Sequence, residues 1–157
     1  MRDSTLLFLI KKENNKAAEI CLAMKKRGFG MGRWNGAGGK CNMGESVENA
    51  TKRETLEEIG VNVLDMNKVA EITFMFENKP DWNQLVHVYV CEKWGGDPTE
   101  SEEMRPQWFK IDEIPFKDMW PDDPFWLPQV LEGKKIKARF TFGEEDAILE
   151  QVVEVVS

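Results

Sequence analysis

The chain has 157 residues, which is enough for one domain with a proper core and too few for two full-sized domains. Apolar residues make up 41% of the chain, and its six Trp and nine Phe exclude a disordered polypeptide. The formal net charge of -7 disfavours stable binding to a nucleic-acid polymer. A phosphate-bearing substrate would therefore need metal ions or a local basic patch.

The cysteine content and the N-terminus indicate a reducing compartment. Cys21, Cys41 and Cys91 are odd in number and form no C-x-x-C pair, which argues against a disulfide framework and a thiolate zinc site. The apolar run at residues 6–10 is followed by two lysines, and it is too short for a signal sequence or a membrane span. We expect a cytoplasmic protein without a membrane partner.

Hydrophobic periodicity in the N-terminal half predicts two strands, a glycine-rich loop and a helix. The strands are expected at residues 5–10 and 18–24, with a polar turn at 11–16 between them. Six glycines follow within residues 28–39. Ser46 is a plausible N-cap for a helix that Gly60 ends.

The C-terminal half alternates in the manner of half-buried strands. Strands are expected at residues 72–76, 86–90 and 136–142, an edge strand with a turn at 107–114, and a strand or helix at 148–156. A short helix is predicted from an N-cap at Asp123 through Leu131, and Pro128 is expected to kink or shorten it. These elements predict an α+β or α/β sandwich, in which a mixed sheet is flanked by at least two helices.

Three glutamates in the first predicted helix indicate a metal site. Glu54, Glu57 and Glu58 lie at i, i+3 and i+4, within about one turn of one helix face. Glutamate runs usually form a solvated face, but the apolar stripe of this helix continues through Glu54 and Glu58. Inward carboxylates need a partner or a metal, and ligand sets made only of oxygen favour Mg²⁺ or Mn²⁺ over zinc. Arg53 is placed to neutralise one of these acids.

Residues 38–61 read GGKCNMGESVENATKRETLEEIGV and contain a spaced motif. The motif begins at Gly39, continues through Glu45, Arg53-Glu54 and Glu57-Glu58, and ends at Gly60. It resembles the Nudix box, G-x5-E-x7-R-E-U-x-E-E-x-G-U, where U is aliphatic; Thr55 at the first U is the one departure. The strings MKKRGFG, GRWNG, EMRP and IPFKDMWPDD extend the resemblance to the animal oxidised-purine nucleoside triphosphatases within this family.

The resemblance implies one Nudix-type α/β/α domain over residues 1–157, with a central mixed sheet. It implies hydrolysis of oxidised purine nucleoside triphosphates, such as 8-oxo-dGTP and 2-oxo-dATP, to the monophosphate and pyrophosphate. Mg²⁺ is the expected cofactor, with Mn²⁺ as a substitute. The expected partner is a small nucleotide bound by a monomer, in the cytoplasm and also in the mitochondrion and nucleus. The alternatives are a Nudix hydrolase for a methylated purine triphosphate or a capped nucleotide, and a nucleotide-binding module without catalysis.

The same resemblance implies the site residues. The metal ligands would be the Gly38 carbonyl and the carboxylates of Glu54, Glu57, Glu58 and Glu103. Glu57 or Glu58 would act as the general base, with Arg53 and Glu45 completing the catalytic set. The substrate-binding residues would be Thr5, Lys25, Phe29, Asn35, Ala37, Gly38, Gly39, Lys40, Phe74, Trp120, Pro121, Asp122, Asp123 and Trp126.

Ordinary structural roles remain open for several of these residues. Trp120 is as well explained by core packing, and Asp123 by helix capping. Lys25 and Lys40 alone would be read as solvated lysines. If Asp122 and Asp123 instead face a closed apolar pocket, repulsion and desolvation raise their pKa values, so that one protonated and one ionised carboxyl could read different purine edges.

Overall fold

The computed structural model describes residues 1–157, which form ten strands and two α-helices. The strands are β1 (Arg2–Glu13), β2 (Lys16–Lys25), β3 (Trp34–Asn35), β4 (Asn62–Val63), β5 (Asn67–Phe76), β6 (Gln84–Cys91), β7 (Trp94–Gly95), β8 (Met104–Lys110), β9 (Ile136–Phe142) and β10 (Ile148–Val155). The helices are α1 (Val47–Ile59) and α2 (Asp123–Leu131). Neither helix has the length and hydrophobicity that crossing a membrane requires.

Eight of the strands form one mixed sheet. Its order is β10-β9-β5-β6-β1-β2-β3, and β8 also pairs with β2. The β1–β6 and β5–β9 pairs are parallel and the other pairs are antiparallel. The remaining strands, β4 and β7, pair with each other in a separate ribbon.

The two helices cover opposite faces of the sheet, as the alternation along β1 shows. Leu7 and Leu9 belong to an apolar cluster that includes Ile59 of α1. Phe8 and Ile10 belong to a second cluster that includes Trp126 of α2. Successive strand residues point to opposite faces, so β1 supplies both cores. The predicted α/β/α sandwich with a mixed sheet is confirmed.

The first hairpin differs from its prediction. The turn expected at residues 11–16 contains only Asn14 and Asn15, because the ladder continues to the pair Glu13↔Lys16. Both asparagines have positive φ, 52° and 63°, as a two-residue hairpin turn requires. The ends of these strands are exposed and polar, so their composition resembles that of a turn although their backbones are paired.

Two C-terminal elements begin earlier than predicted. The edge strand is confirmed, but β8 starts at Met104, so Pro106 lies inside it; an edge strand tolerates proline because one of its sides needs no N–H donor. The N-cap of α2 is Asp122, one residue before the predicted Asp123, and its carboxylate makes no capping bond. Pro128 lies within α2, which nevertheless continues to Leu131.

Asn15 provides a test of the hairpin geometry. We expect Asn15→Ala to lower the free energy of unfolding by about 1 kcal/mol, because alanine pays the left-handed backbone penalty. Asn15→Gly should leave stability unchanged or raise it, because glycine adopts positive φ without a steric cost. Urea unfolding of both variants measures the difference; equal losses of stability in the two would contradict the two-residue turn.

Candidate active site

Helix α1, which carries the glutamates, is capped at both ends as predicted. The Ser46 hydroxyl accepts a hydrogen bond from the Asn49 backbone N–H at 3.1 Å. Gly60 has a left-handed φ of 71° and donates its N–H to Leu56. Thr55, which departs from the aliphatic pattern of the box, is fully buried and donates its hydroxyl to a main-chain carbonyl one turn earlier. Threonine at this position therefore leaves no unsatisfied hydroxyl in the buried side of the helix.

Glu58 is the most deeply buried of the glutamates. It is 4% exposed, and its Oε1 accepts a hydrogen bond from the Gly38 N–H at 2.8 Å. Its Oε2 lies 3.8 Å from Lys25 Nζ. Burial raises the pKa of Glu58 to about 7, although the Gly38 N–H and the Lys25 charge act in the opposite direction. The nearby charges of Glu54 and Glu103 raise it further.

The Arg53 guanidinium binds three other acids of the cluster, Glu45, Glu54 and Glu57. Its Nε and Nη2 bind both oxygens of Glu45 at 2.8 and 2.9 Å, a bidentate pair that lowers the pKa of Glu45. Its Nη1 donates to Glu54 at 2.8 Å and to Glu57 at 3.3 Å. Nη2 also donates to the Lys40 carbonyl at 3.1 Å. One guanidinium therefore joins α1 to the loop that precedes it.

The glycine segment, residues 36–39, lies directly against β1. The Thr5 N–H donates to the Gly39 carbonyl at 2.8 Å. A Cβ at Gly38 would fall on the Thr5 carbonyl, and a Cβ at Gly39 would lie 2.6 Å from the carboxyl carbon of Glu54. Backbone fills the space at Gly38, so only glycine fits there, whereas a side chain at Gly39 would displace the Glu54 carboxylate.

The donor set fits a divalent cation, although the structure does not bring three acidic side chains into one coordination cluster. The charges of Glu57 and Glu103 each add to the burial that raises the pKa of Glu54, so the carboxylates are close enough to repel one another. Lys25 and Arg53 now neutralise them. The Gly38 carbonyl accepts no hydrogen bond. These oxygen donors suit Mg²⁺ or Mn²⁺.

A cavity of about 300 Å³ lies on the α2 face of the sheet and extends to Glu58. Most of the predicted substrate-binding residues line it. They are Thr5, Lys25, Phe29, Asn35, Gly38, Gly39, Lys40, Phe74, Trp120, Asp122, Asp123 and Trp126. The predicted pocket residues are thus brought together from four strands, three loops and α2.

Two predicted substrate-binding residues, Ala37 and Pro121, do not line the cavity. Ala37 is buried in the cluster under α1, because extended backbone turns it away from the side that Gly36 and Gly38 face. Pro121 lies in the turn before α2, and its neighbours on both sides face the cavity instead.

The predicted catalytic and metal-binding acids lie mostly beside the cavity. Glu54 and Glu57 are on α1 next to Arg53, and Glu103 begins the approach to β8. The side chain of Glu57 is 58% exposed, whereas Glu103 pairs with Lys25 at 3.3 Å, which lowers the pKa of Glu103. Glu58 alone among the glutamates reaches the cavity wall. The acids therefore form a rim next to the pocket.

Asp122 and Asp123 are the most unusual groups in the cavity, at 1% and 2% exposure. Asp122 Oδ2 accepts a hydrogen bond from Trp126 Nε1 at 2.8 Å, while Asp122 Oδ1 and Asp123 Oδ2 have no partner. Burial raises the pKa of both carboxyls, and the charge of Asp122 raises that of Asp123 further. The Trp126 N–H lowers the pKa of Asp122, whereas the Arg33 charge lowers the pKa of both carboxyls. Asp123 is therefore the carboxyl that holds a proton more strongly.

Several lining residues escaped the sequence analysis. Phe76 and Phe142 share the cavity face with Phe74, and the alternation of their strands could have indicated them. Arg2 and Gln84, which are register partners in the parallel β1–β6 pair, also line the cavity. No local signal marks these two, because parallel pairing joins distant parts of the chain.

The pKa of Glu58 predicts how stability depends on pH in metal-free protein. Its folded-state pKa of about 7 lies above the ordinary 4.5, so its contribution is full below about pH 4.5 and is lost as pH rises through about pH 7. We expect Glu58→Gln to flatten the fall in Tm across this range, measured with a chelator present. Glu54, Asp122 and Asp123 contribute to the remaining slope, because their pKa values are raised in the same direction.

Glu102→Gln is the matched control for loss of one charge, because the side chain of Glu102 is 87% exposed. A Glu58→Gln profile parallel to that of the wild type would contradict the burial of an ionisable carboxyl at this position.

Comparison with known proteins identifies the family. Residues 2–130 match the family model described as the NUDIX domain. The mouse oxidized purine nucleoside triphosphate hydrolase is 52% identical over 130 residues, or 83% of each chain. The zebrafish protein of the same name is 45% identical over 137 residues, or 87% of each chain. The crystal structure of a MutT protein from Bacillus halodurans, 22% identical, covers 98% of both chains with a TM-score of 0.83, which shows the shared fold. The chain belongs to the Nudix family.

Proposed function

We propose that this protein hydrolyses oxidised purine nucleoside triphosphates, such as 8-oxo-dGTP and 2-oxo-dATP, to the monophosphate and pyrophosphate. One observation carries the proposal: a cavity lined by aromatic side chains and by two buried, unpaired aspartate oxygens adjoins the glutamates of the Nudix box. The names of the mouse and zebrafish relatives, which share about half of the sequence, support it. Such a reaction removes damaged precursors before they are incorporated into DNA.

The acidic rim is proposed to bind Mg²⁺, with Mn²⁺ as a substitute. The Gly38 carbonyl and the carboxylates of Glu54, Glu57, Glu58 and Glu103 would hold the ion. When bound, a divalent cation neutralises phosphate oxygens and lowers the pKa of a bound water. It also offsets the net charge of -7, which would otherwise repel a triphosphate.

Neighbouring residues of the chain orient the carboxylates of the acidic rim. Arg53 fixes Glu54 and Glu45 through charge-assisted hydrogen bonds, so that these side chains are oriented before the substrate arrives. Glu58, which reaches the cavity wall, is the buried candidate for the general base. Glu57 is the exposed alternative for that role. Lys25, between Glu58 and Glu103, can turn its charge towards the phosphates.

The base is proposed to stack on Trp120 and to be read by Asp122 and Asp123. The two aspartates have free oxygens in the cavity wall. A protonated Asp123 donates a hydrogen bond and an ionised Asp122 accepts one. Exchange of the proton between them presents a different pattern to oxidised guanine than to oxidised adenine.

Pyrophosphate release from a panel of nucleotides tests the proposed function. The panel contains 8-oxo-dGTP, 2-oxo-dATP, the four normal dNTPs, a methylated purine triphosphate and a capped nucleotide. We expect the two oxidised purines to have the highest kcat/KM with Mg²⁺ present. Preference for the methylated or capped substrate would reassign the substrate, and tight binding without turnover would indicate a non-catalytic module.

Glutamate variants test the chemistry in the same assay. Glu57→Gln and Glu58→Gln should each lower kcat by at least about a hundredfold, because each removes a charge from the metal-binding rim rather than an apolar contact from the core. Glu102→Gln, an exposed neighbour of Glu103, should retain wild-type turnover. Near-native kcat in both Glu57→Gln and Glu58→Gln at saturating Mg²⁺ would rule out the carboxylate mechanism.

Substitution of the aspartates tests base recognition. Asparagine imitates only the neutral carboxyl, so Asp122→Asn and Asp123→Asn should each change the ratio of kcat/KM for 8-oxo-dGTP over 2-oxo-dATP. The two changes should differ, because Trp126 binds only Asp122. Wild-type ratios in both variants from about pH 6 to about pH 9 would exclude these aspartates as the base readers.

A further inference from the structure

A short glycine-rich loop, formed by residues 28–33 and called the 28–33 loop, packs against the indole of Trp120. Phe29 in this loop has its ring centroid 5.0 Å from that of Trp120 and 4.6 Å from that of Trp82. A Cβ at Gly30 would lie 3.4 Å from Trp120 Nε1, so the backbone itself approaches the indole. The 28–33 loop therefore forms part of the surroundings of the ring on which we propose that the base stacks.

Arg33, at the end of the 28–33 loop, joins Trp120 to a distant turn. Its guanidinium carbon lies 4.1 Å from the centroid of the Trp120 ring. Its Nη1 donates to Asp146 Oδ2 at 2.9 Å. Both charged side chains are largely covered, at 27% and 31% exposure. The guanidinium therefore packs on one face of the indole, and both groups line the cavity.

The turn that carries Asp146 has an unusual backbone. Glu145 and Asp146 have positive φ values of 54° and 57°, each at a cost of about 1 kcal/mol for a residue with a side chain. The Gly143 N–H closes the turn by donating to the Ala147 carbonyl at 2.8 Å. In this conformation Asp146 reaches Arg33, whereas Glu145 makes no side-chain hydrogen bond or ion pair.

We propose that Asp146 is a positioning residue for the purine, which acts by holding the Arg33 guanidinium on Trp120 and the 28–33 loop over the cavity. This inference rests on the proposed function of the cavity. The carboxylates of the glutamate rim pair with Lys25 and Arg53, and no hydrogen bond or ion pair joins them to Arg33 or Asp146. Loss of the ion pair should therefore weaken ligand binding and leave the chemical step unchanged.

The test compares Asp146→Asn with Glu145→Gln, which removes the same charge from the same turn. We expect Asp146→Asn to accelerate hydrogen exchange at the Met31 and Arg33 amides, which are bonded only within the 28–33 loop. It should weaken binding of 8-oxo-dGMP and raise KM for 8-oxo-dGTP by about fivefold, with kcat unchanged. Glu145→Gln should match the wild type in all of these measurements.

A double-mutant cycle with Arg33→Ala separates positioning from a general structural effect. If Asp146 acts through Arg33, Asp146→Asn has no further effect on 8-oxo-dGMP binding in the Arg33→Ala background. An undiminished effect in that background would overturn the inference, as would equal binding by Asp146→Asn and Glu145→Gln or a fall in kcat alone. Wild-type protein that binds 8-oxo-dGMP in an Asp146-dependent way but hydrolyses no oxidised triphosphate would overturn the proposed function and support this inference.

Discussion

The close contact between the glycine segment and β1 is the constraint on which the site depends. A side chain at Gly38 would collide with the Thr5 carbonyl, and one at Gly39 would displace the Glu54 carboxylate. The same approach brings the Gly38 N–H to Glu58 and leaves the Gly38 carbonyl free. A bulkier segment would separate α1 from the sheet, and with it the acidic rim from the cavity on the opposite face.

Electrostatics explains why this acidic cluster is tolerated in the folded protein. Carboxylates at helical spacing repel one another, and their burial is costly unless a cation is near. Arg53 and Lys25 supply that positive charge from two sides. Arg53 does so with its planar guanidinium, and Lys25 with a single ammonium group. The carboxylates are therefore compensated within the folded chain by its own cations.

In the cavity, by contrast, buried polar atoms have no hydrogen-bond partner and lie among aromatic side chains. The free oxygens of Asp122 and Asp123 and the free Nε of Arg2 lie in its wall. Unpaired buried polar groups cost stability, and a ligand with matching donors and acceptors recovers that cost. The same unpaired groups penalise a base that lacks the matching edge. The cavity can therefore be selective although it is mostly apolar.

Local patterns in the sequence determined a large part of this protein. Spacing of Ser46, the glutamates and Gly60 predicted α1, its caps and its inward face, because i, i+3 and i+4 relations depend only on the helix itself. Alternation predicted most strands and the mixed sheet of the sandwich. The resemblance to the family identified most residues that line the cavity, although it included Ala37 and Pro121, which face elsewhere.

Only the tertiary structure decided which distant residues meet. The parallel pairing of β1 with β6 puts Arg2 beside Gln84, and the ion pair between Arg33 and Asp146 spans 113 positions. The sequence also could not show that Asp122 binds Trp126 instead of capping α2, since both arrangements suit the same residues. Propensity and periodicity describe neighbours along the chain, whereas burial, pKa and ion pairing depend on what the completed sheet brings into contact.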